Sequence, residues 1–333
     1  MTSFADATAE SPLWQGLLAY SETYTCYSAA IAAWTAFEYP AWGSLVNSGL
    51  TLTLVDAGEG LFGFVHFPPD LPATLGLARR ATDDSGEAAA GIMDELGRHG
   101  RVIVAGDGFS LPWHVASGRR HVPHWFVLSG TPSAPVVTDP FACLNDLGRQ
   151  EAILEPVDAS ALTSLALAHP GDDEVVRLRE SFALGADARP LEHRRFQWFV
   201  RADADAPVPD GATGPHAIRR LADHFRDHGD RAEAYLQADD IWSIARHRAF
   251  LARYAADFAS RSGGTLAEWV EGHVNPLAKR WSHMAPLLMQ AALAIGAGRQ
   301  PTGSVAETLD ELAEREAAAG SACPPDAEFL LGR

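Results

Sequence analysis

Apolar side chains recur at Cys26, Ala30, Ala33, Trp34 and Phe37, the spacing of one face of an α-helix. Thr23 and Thr25 stand where an N-cap belongs, so the pattern predicts a helix that opens at Cys26. Pro40 forbids its simple continuation. Residues 50–56 and 61–67 are rich in β-branched and aromatic side chains and predict strands. Residues 86–99, with Ile92, Met93 and Leu96, predict a helix, and 101–105 a short buried strand ended by Gly106-Asp107-Gly108. Two further strands are expected over 124–129 and 134–138, turned by Gly130 and Pro132 and stopped at Asp139-Pro140. In the first of them, alternation sets His124, Phe126 and Leu128 on one face and Trp125 and Val127 on the other.

From about residue 144 the pattern turns helical. A helix is expected over 158–184, a strand at 195–201, and a Pro/Gly/Asp-rich linker over 203–214. Helices follow over 217–228, 238–260 and 266–288, the last kinked or interrupted by Pro276 and Pro286. The chain therefore reads as α+β, with a mixed part over residues 1–150 and a mainly helical part over 151–333.

Composition narrows the function classes. Of 333 residues, 47% are hydrophobic and 21% charged, which describes a folded globular chain and excludes a disordered one. No apolar run approaches the roughly 18 residues of a membrane span, and the N-terminus lacks a secretory signal. The three cysteines, Cys26, Cys143 and Cys323, are few and irregularly spaced, which argues for a reducing cytoplasm. A net charge of −17 speaks against nucleic acid as a partner. Gly58-Glu59-Gly60-Leu61-Phe62-Gly63 formally matches a dinucleotide-binding pattern, but Pro68-Pro69 follow where the motif needs a helix. His114, His121 and His124 lack the spacing and cysteine partners of a structural zinc site. His224 and His228 lack the intervening Glu of a zinc-protease helix. No metal or cofactor is expected.

Taken by itself, Cys26 reads as a small apolar residue in a core helix. Its partners change that reading. A thiol at a helix N-terminus feels the positive end of the helix, which favours the thiolate. If strands 124–129 and 134–138 form an antiparallel pair, His124 and Asp139 meet at one edge of the sheet. A Cys26 helix packed there completes a nucleophile, a base and a group that orients the base.

Motifs around these residues resemble the butirosin-biosynthesis protein H family, whose N-terminal half is papain-like and related to bacteriocin-processing cysteine peptidases. The matching stretches are the helix-starting Cys26, the segment from Gly106 to Trp113, the segment from His121 to Gly130, and Val137-Thr138-Asp139-Pro140. The segment 214–222, the segment 253–258 and Trp281-Ser282 follow in the family's usual order. The resemblance implies a papain-like catalytic part followed by a helical domain that covers the cleft. It implies an acyltransferase of natural-product assembly, in which Cys26 takes an acyl group from a carrier-protein thioester and passes it to a small-molecule amine. His124 then serves as base and acid, and Asp139 orients its ring. Papain-like enzymes often place a Gln oxyanion donor shortly before the nucleophile; Tyr20 stands there, and the closest Gln is Gln15. The Cys26 backbone N–H supplies one donor, and Tyr24 or Tyr20 is expected as the other. Asp107 and Trp113 are expected to line the substrate pocket, and Arg119-Arg120 to dock an acidic carrier against this acidic chain. Two other readings stand beside this one: a cysteine hydrolase, in which water resolves the acyl-cysteine, and a non-catalytic scaffold.

Overall fold

A computed structural model of the chain describes residues 10–58, 61–68, 71–160, 165, 195–203, 210–301 and 303–332. Helices α1 (Pro12–Leu18), α2 (Cys26–Ala36) and α3 (Trp42–Val46) come first, then the hairpin β1 (Thr53–Gly58) and β2 (Leu61–Val65). Next are α4 (Leu71–Thr74), β3 (Leu77–Thr82), α5 (Ser85–His99) and β4 (Arg101–Asp107). Strands β5 (Pro123–Thr131), β6 (Ala134–Asp139), β7 (Cys143–Asn145), β8 (Gly148–Gln150) and β9 (Ile153–Pro156) follow. Then come β10 (Phe196–Arg201), β11 (Ala212–Thr213), α6 (Gly214–His228), α7 (Ala238–Ser262) and α8 (Gly264–Trp269). Helices α9 (Asn275–Ser282), α10 (Met284–Gly296) and α11 (Val305–Ser321) come last among the described α-helices. The class is α+β, and every strand pairing is antiparallel.

Two compact units result: Met1–Val46 with Pro69–Pro207, and Asn47–Pro68 with Val208–Arg333. This is not the division at residue 150 that the composition shift predicts. Two physical facts redraw it. Strand β10 leaves the helical half to pair with β3 and β4, inside the six-stranded order β3-β10-β4-β5-β6-β9. In the other direction, residues 49–51 are bound to α7 and α11 by a buried ion pair. Arg248 Nε donates to Glu316 Oε1 at 2.6 Å, and its Nη atoms donate to the carbonyls of Gly49, Leu50 and Thr51. Trp281 Nε1 donates to the same carboxylate at 2.9 Å. Strands β1, β2 and β11 form a separate sheet beside these helices, with Leu52, Leu54 and Phe64 in their core.

In the first unit the sheet is covered on both faces. Helix α5 packs Ala88, Ile92 and Leu96 onto Val104, Phe126, Leu128 and Trp198. Gly91 makes this possible, since a Cβ there would fall 2.6 Å from Trp198 Cζ2. The opposite face carries Trp125 and Phe199, whose rings meet Tyr27 of α2 at 5.6 and 6.3 Å. Every residue of α2 from Tyr27 to Ala36 is buried. Its apolar stripe is therefore not one core-facing side of a surface helix but part of a helix enclosed all round. At the far end of α2, Arg101 and Arg201 stack over Trp34 and share Glu38, placing cations at the negative end of the helix.

The predicted strands over 50–56, 61–67, 101–105, 124–129, 134–138 and 195–201 all appear, each shifted by a few residues at its ends. A strand follows Gly58, as the rejection of a dinucleotide motif requires. The helix expected over 158–184 lies outside the described residues except at 158–160 and 165, and the linker over 203–214 lies partly outside them. The segment expected as a helix over 266–288 is interrupted and runs as α8, a π-turn at Val270–Val274, α9 and α10. Pro276 stands just after the π-turn and Pro286 just after the break at His283. Among the described residues no helix is long and apolar enough to cross a membrane.

The Arg248–Glu316 pair is fully enclosed, so removing one partner strands the other. Glu316→Ala is expected to lower unfolding stability by about 3–5 kcal/mol. Urea denaturation followed by tryptophan fluorescence measures this; a loss below about 1 kcal/mol would mean the network is not what fixes residues 49–51.

Candidate active site

Thr25 caps α2 from an extended conformation, accepting from Ser28 N–H at 3.1 Å. Ser28 Oγ accepts in return from the Thr25 N–H at 2.9 Å, so the box is closed from both sides. This fixes Cys26 as the first helical residue, where backbone N–H groups have no helical acceptor and the helix presents its positive end. Cys26 is partly exposed, whereas Cys143 is buried on β7.

Strands β5 and β6 pair with Val127 opposite Thr138, which carries the start of β5 and the end of β6 to the same end of the sheet. His124 and Asp139 meet there. His124 Nε2 lies 2.7 Å from Asp139 Oδ2, with both side chains almost wholly buried. The same oxygen accepts from Trp113 Nε1–H at 3.1 Å, and Oδ1 accepts from the Phe141 N–H at 3.2 Å. Three donors thus satisfy a buried carboxylate. With Nε2 committed to Asp139, the other ring nitrogen is the one that bonds the Cys26 sulfur. The Trp125 backbone N–H points at that sulfur as well.

Burial pushes the Cys26 thiol up most strongly, but the hydrogen bond and charge of His124 and the Trp125 N–H together hold it below the ordinary thiol range. Burial pulls His124 down; the charge and hydrogen bond of Asp139, helped by Cys26, more than reverse this and raise it to about 10. The two shifts describe one state, a thiolate beside an imidazolium. Such a pair supplies an attacking sulfur and a proton donor for a leaving group within one hydrogen bond.

Of the remaining expected residues, Trp113 joins this row through Asp139. Asp107 does not. Its carboxylate accepts from the Phe109 and Val122 N–H groups and lies 2.6 Å from His121 Nδ1, which ties the loop after β4 back on itself. Tyr24 is buried at the residue before the cap, and Gln15 is on the exposed side of α1. Arg119 donates to Leu147 O at 2.9 Å and Arg120 pairs with Asp146 at 2.7 Å, so both brace the β7–β8 turn. Of the three histidines considered for zinc, His121 goes to Asp107 and His124 to Asp139, while the His114 ring lies against that of His124. Among the described residues no group of three or more His, Cys, Asp or Glu is arranged to hold a metal.

Two contributors escape sequence reasoning. One is the Trp125 amide, since a backbone donor leaves no residue signature. The other is Gln150 on β8, fully buried, which accepts from the Val115 N–H at 2.7 Å and donates to Trp113 O at 3.4 Å. It clamps the loop that carries Trp113, and nothing in the spacing of a lone glutamine announces that.

A scan against protein-family models finds no match for this chain, and a search of curated proteins finds none either. Function must therefore be argued from the site.

The pH dependence follows from the two directions. Alkylation of Cys26 by iodoacetamide, read on its own peptide by mass spectrometry, should switch on below the pH at which an ordinary thiol ionises. His124 adds stability in full below its unfolded value of about 6.5, and that stability disappears as pH rises through about 10. Asp139→Asn should move the alkylation inflection up toward that of a free cysteine. An unchanged inflection in that variant would separate Asp139 from the thiolate.

Proposed function

We propose that this chain is a papain-like cysteine acyltransferase of the butirosin-biosynthesis protein H type, with an acyl thioester on a carrier protein as donor and an amine as acceptor. One observation carries the reading: the thiol of a partly exposed cysteine at a capped helix N-terminus is bonded to a buried imidazole whose other nitrogen is held by a buried carboxylate. The motifs that resemble the family surround these same three residues.

The chemistry follows from the charges. The Cys26 thiolate attacks the thioester carbonyl and forms a tetrahedral oxyanion, toward which the Cys26 N–H is available as a donor. Collapse expels the carrier thiolate, which takes the proton from His124, and leaves acyl-Cys26. An incoming amine attacks that thioester, gives its proton to the now neutral His124, and departs as the amide. Thiolate and imidazolium are then restored. Throughout, Asp139 keeps the same ring nitrogen protonated, so the nitrogen facing sulfur is the one that exchanges protons. The Trp113 N–H steadies the carboxylate in that task.

Intact-mass analysis after incubation with an acyl-loaded carrier protein tests the proposal. Wild-type protein should gain the mass of the acyl group, Cys26→Ala should gain nothing, and added amine should discharge the adduct as an amide. Discharge at the same rate without amine, giving free acid, would make the protein a hydrolase. Absence of any adduct from a range of thioesters would leave a scaffold. Trp113→Phe should slow acylation by about tenfold or more, the equivalent of one lost hydrogen bond to a charged group.

A further inference from the structure

His114 follows Trp113 in the loop between β4 and β5 and brings a second imidazole to the site. Its ring meets that of His124 edge to face, with centroids 4.5 Å apart. The Ala116 N–H donates to His114 Nδ1 at 3.1 Å. A ring nitrogen that accepts a hydrogen bond carries no proton, so this geometry selects the neutral tautomer protonated on Nε2. The loop itself is immobilised from both sides of this residue, because Gln150 bonds to Trp113 O and to the Val115 N–H. Gly108 leaves room for the ring, since a Cβ there would lie 2.6 Å from His114 Nδ1.

The other groups around His124 are Cys26 from α2, Asp139 from β6, and the apolar rings of Phe126 and Phe141 at 6.4 and 5.7 Å. In the same loop, Asp107 and His121 are bonded to each other. His114 is thus the only other titratable ring among the described residues recorded in ring contact with His124, and a backbone amide keeps it from becoming a second cation there.

We propose that His114 is a positioning residue that favours the protonated form of His124, through the contact of a neutral aromatic ring with the imidazolium. The idea rests on the acyltransferase reading for its purpose, but its test does not. The π-face of a neutral ring attracts a cation, and a second imidazolium at this distance would be repulsive.

Asn is the informative replacement. Its Oδ1 occupies the place of Nδ1 and accepts the same Ala116 N–H in an Asx-turn, so the loop keeps its anchor while the ring face is lost. The full-length protein and His114→Asn are compared by the pH dependence of Cys26 alkylation. The expected result is an inflection about half a pH unit or more higher in the variant, the shift that an ordinary cation–ring contact gives. An inflection that is unchanged or lower overturns the proposal. His114→Phe provides the second arm, since it keeps a ring and removes both nitrogens: it should stay within about half a unit of wild type, and a rise beyond that overturns the role of the ring. If wild-type Cys26 itself titrates as an ordinary thiol, the acyltransferase reading fails; if only the variants disagree, His114 alone loses its role.

Discussion

The 2.7 Å hydrogen bond between His124 Nε2 and Asp139 Oδ2 is the contact on which the site depends, and it is a product of strand register. Asp139 ends β6 and His124 begins β5, so one hairpin delivers both to the same end of the sheet. A register slip of one residue would turn each side chain to the opposite face and abolish the pair. The bond has chemical consequences out of proportion to its size. It assigns one ring nitrogen to the carboxylate and thereby assigns the other to Cys26. It also supplies the charge that lets a buried imidazole keep its proton, which in turn lets the sulfur lose one.

Helix α2 is built to meet that ring. The reciprocal cap between Thr25 and Ser28 contributes about 1 kcal/mol and, more to the point, decides which residue is first in the helix. Complete burial of Tyr27–Ala36 then leaves α2 no freedom to turn about its axis, because a rotation would lift Tyr27 from Trp125 and Phe199. Small residues make the close approach possible; five alanines lie between Ala29 and Ala36. The thiol is held at the helix end while its neighbours on both sides are packed away.

Much of this was legible from residue order. The helix start was written in Thr25 followed by the period of Cys26, Ala30 and Ala33, and the hairpin in two β-rich runs flanking Gly130. What escaped was non-local. Phe196–Arg201 was recognisable as a strand, but nothing in it shows that it inserts between β3 and β4. Residues 50 and 51 read as the start of a strand, and nothing in them shows that Arg248, about two hundred positions later, binds the carbonyls of residues 49–51. Side-chain partnerships were harder still. The three loop partners of Asp107, an expected pocket residue, are not written in its flanking glycines. Trp113 looked like a pocket wall and is a hydrogen-bond donor to Asp139. Backbone contributions such as the Trp125 N–H leave no trace in sequence at all.

The account stands on a thiolate that exists before any substrate arrives. The thiolate absorbance of wild-type protein, titrated against Cys26→Ser so that Cys143 and Cys323 cancel, measures this directly. The difference signal should appear at a pH clearly below that of an ordinary thiol and should shift upward in His124→Ala. A difference signal that appears only at or above the ordinary thiol range, and is indifferent to His124, would contradict the account.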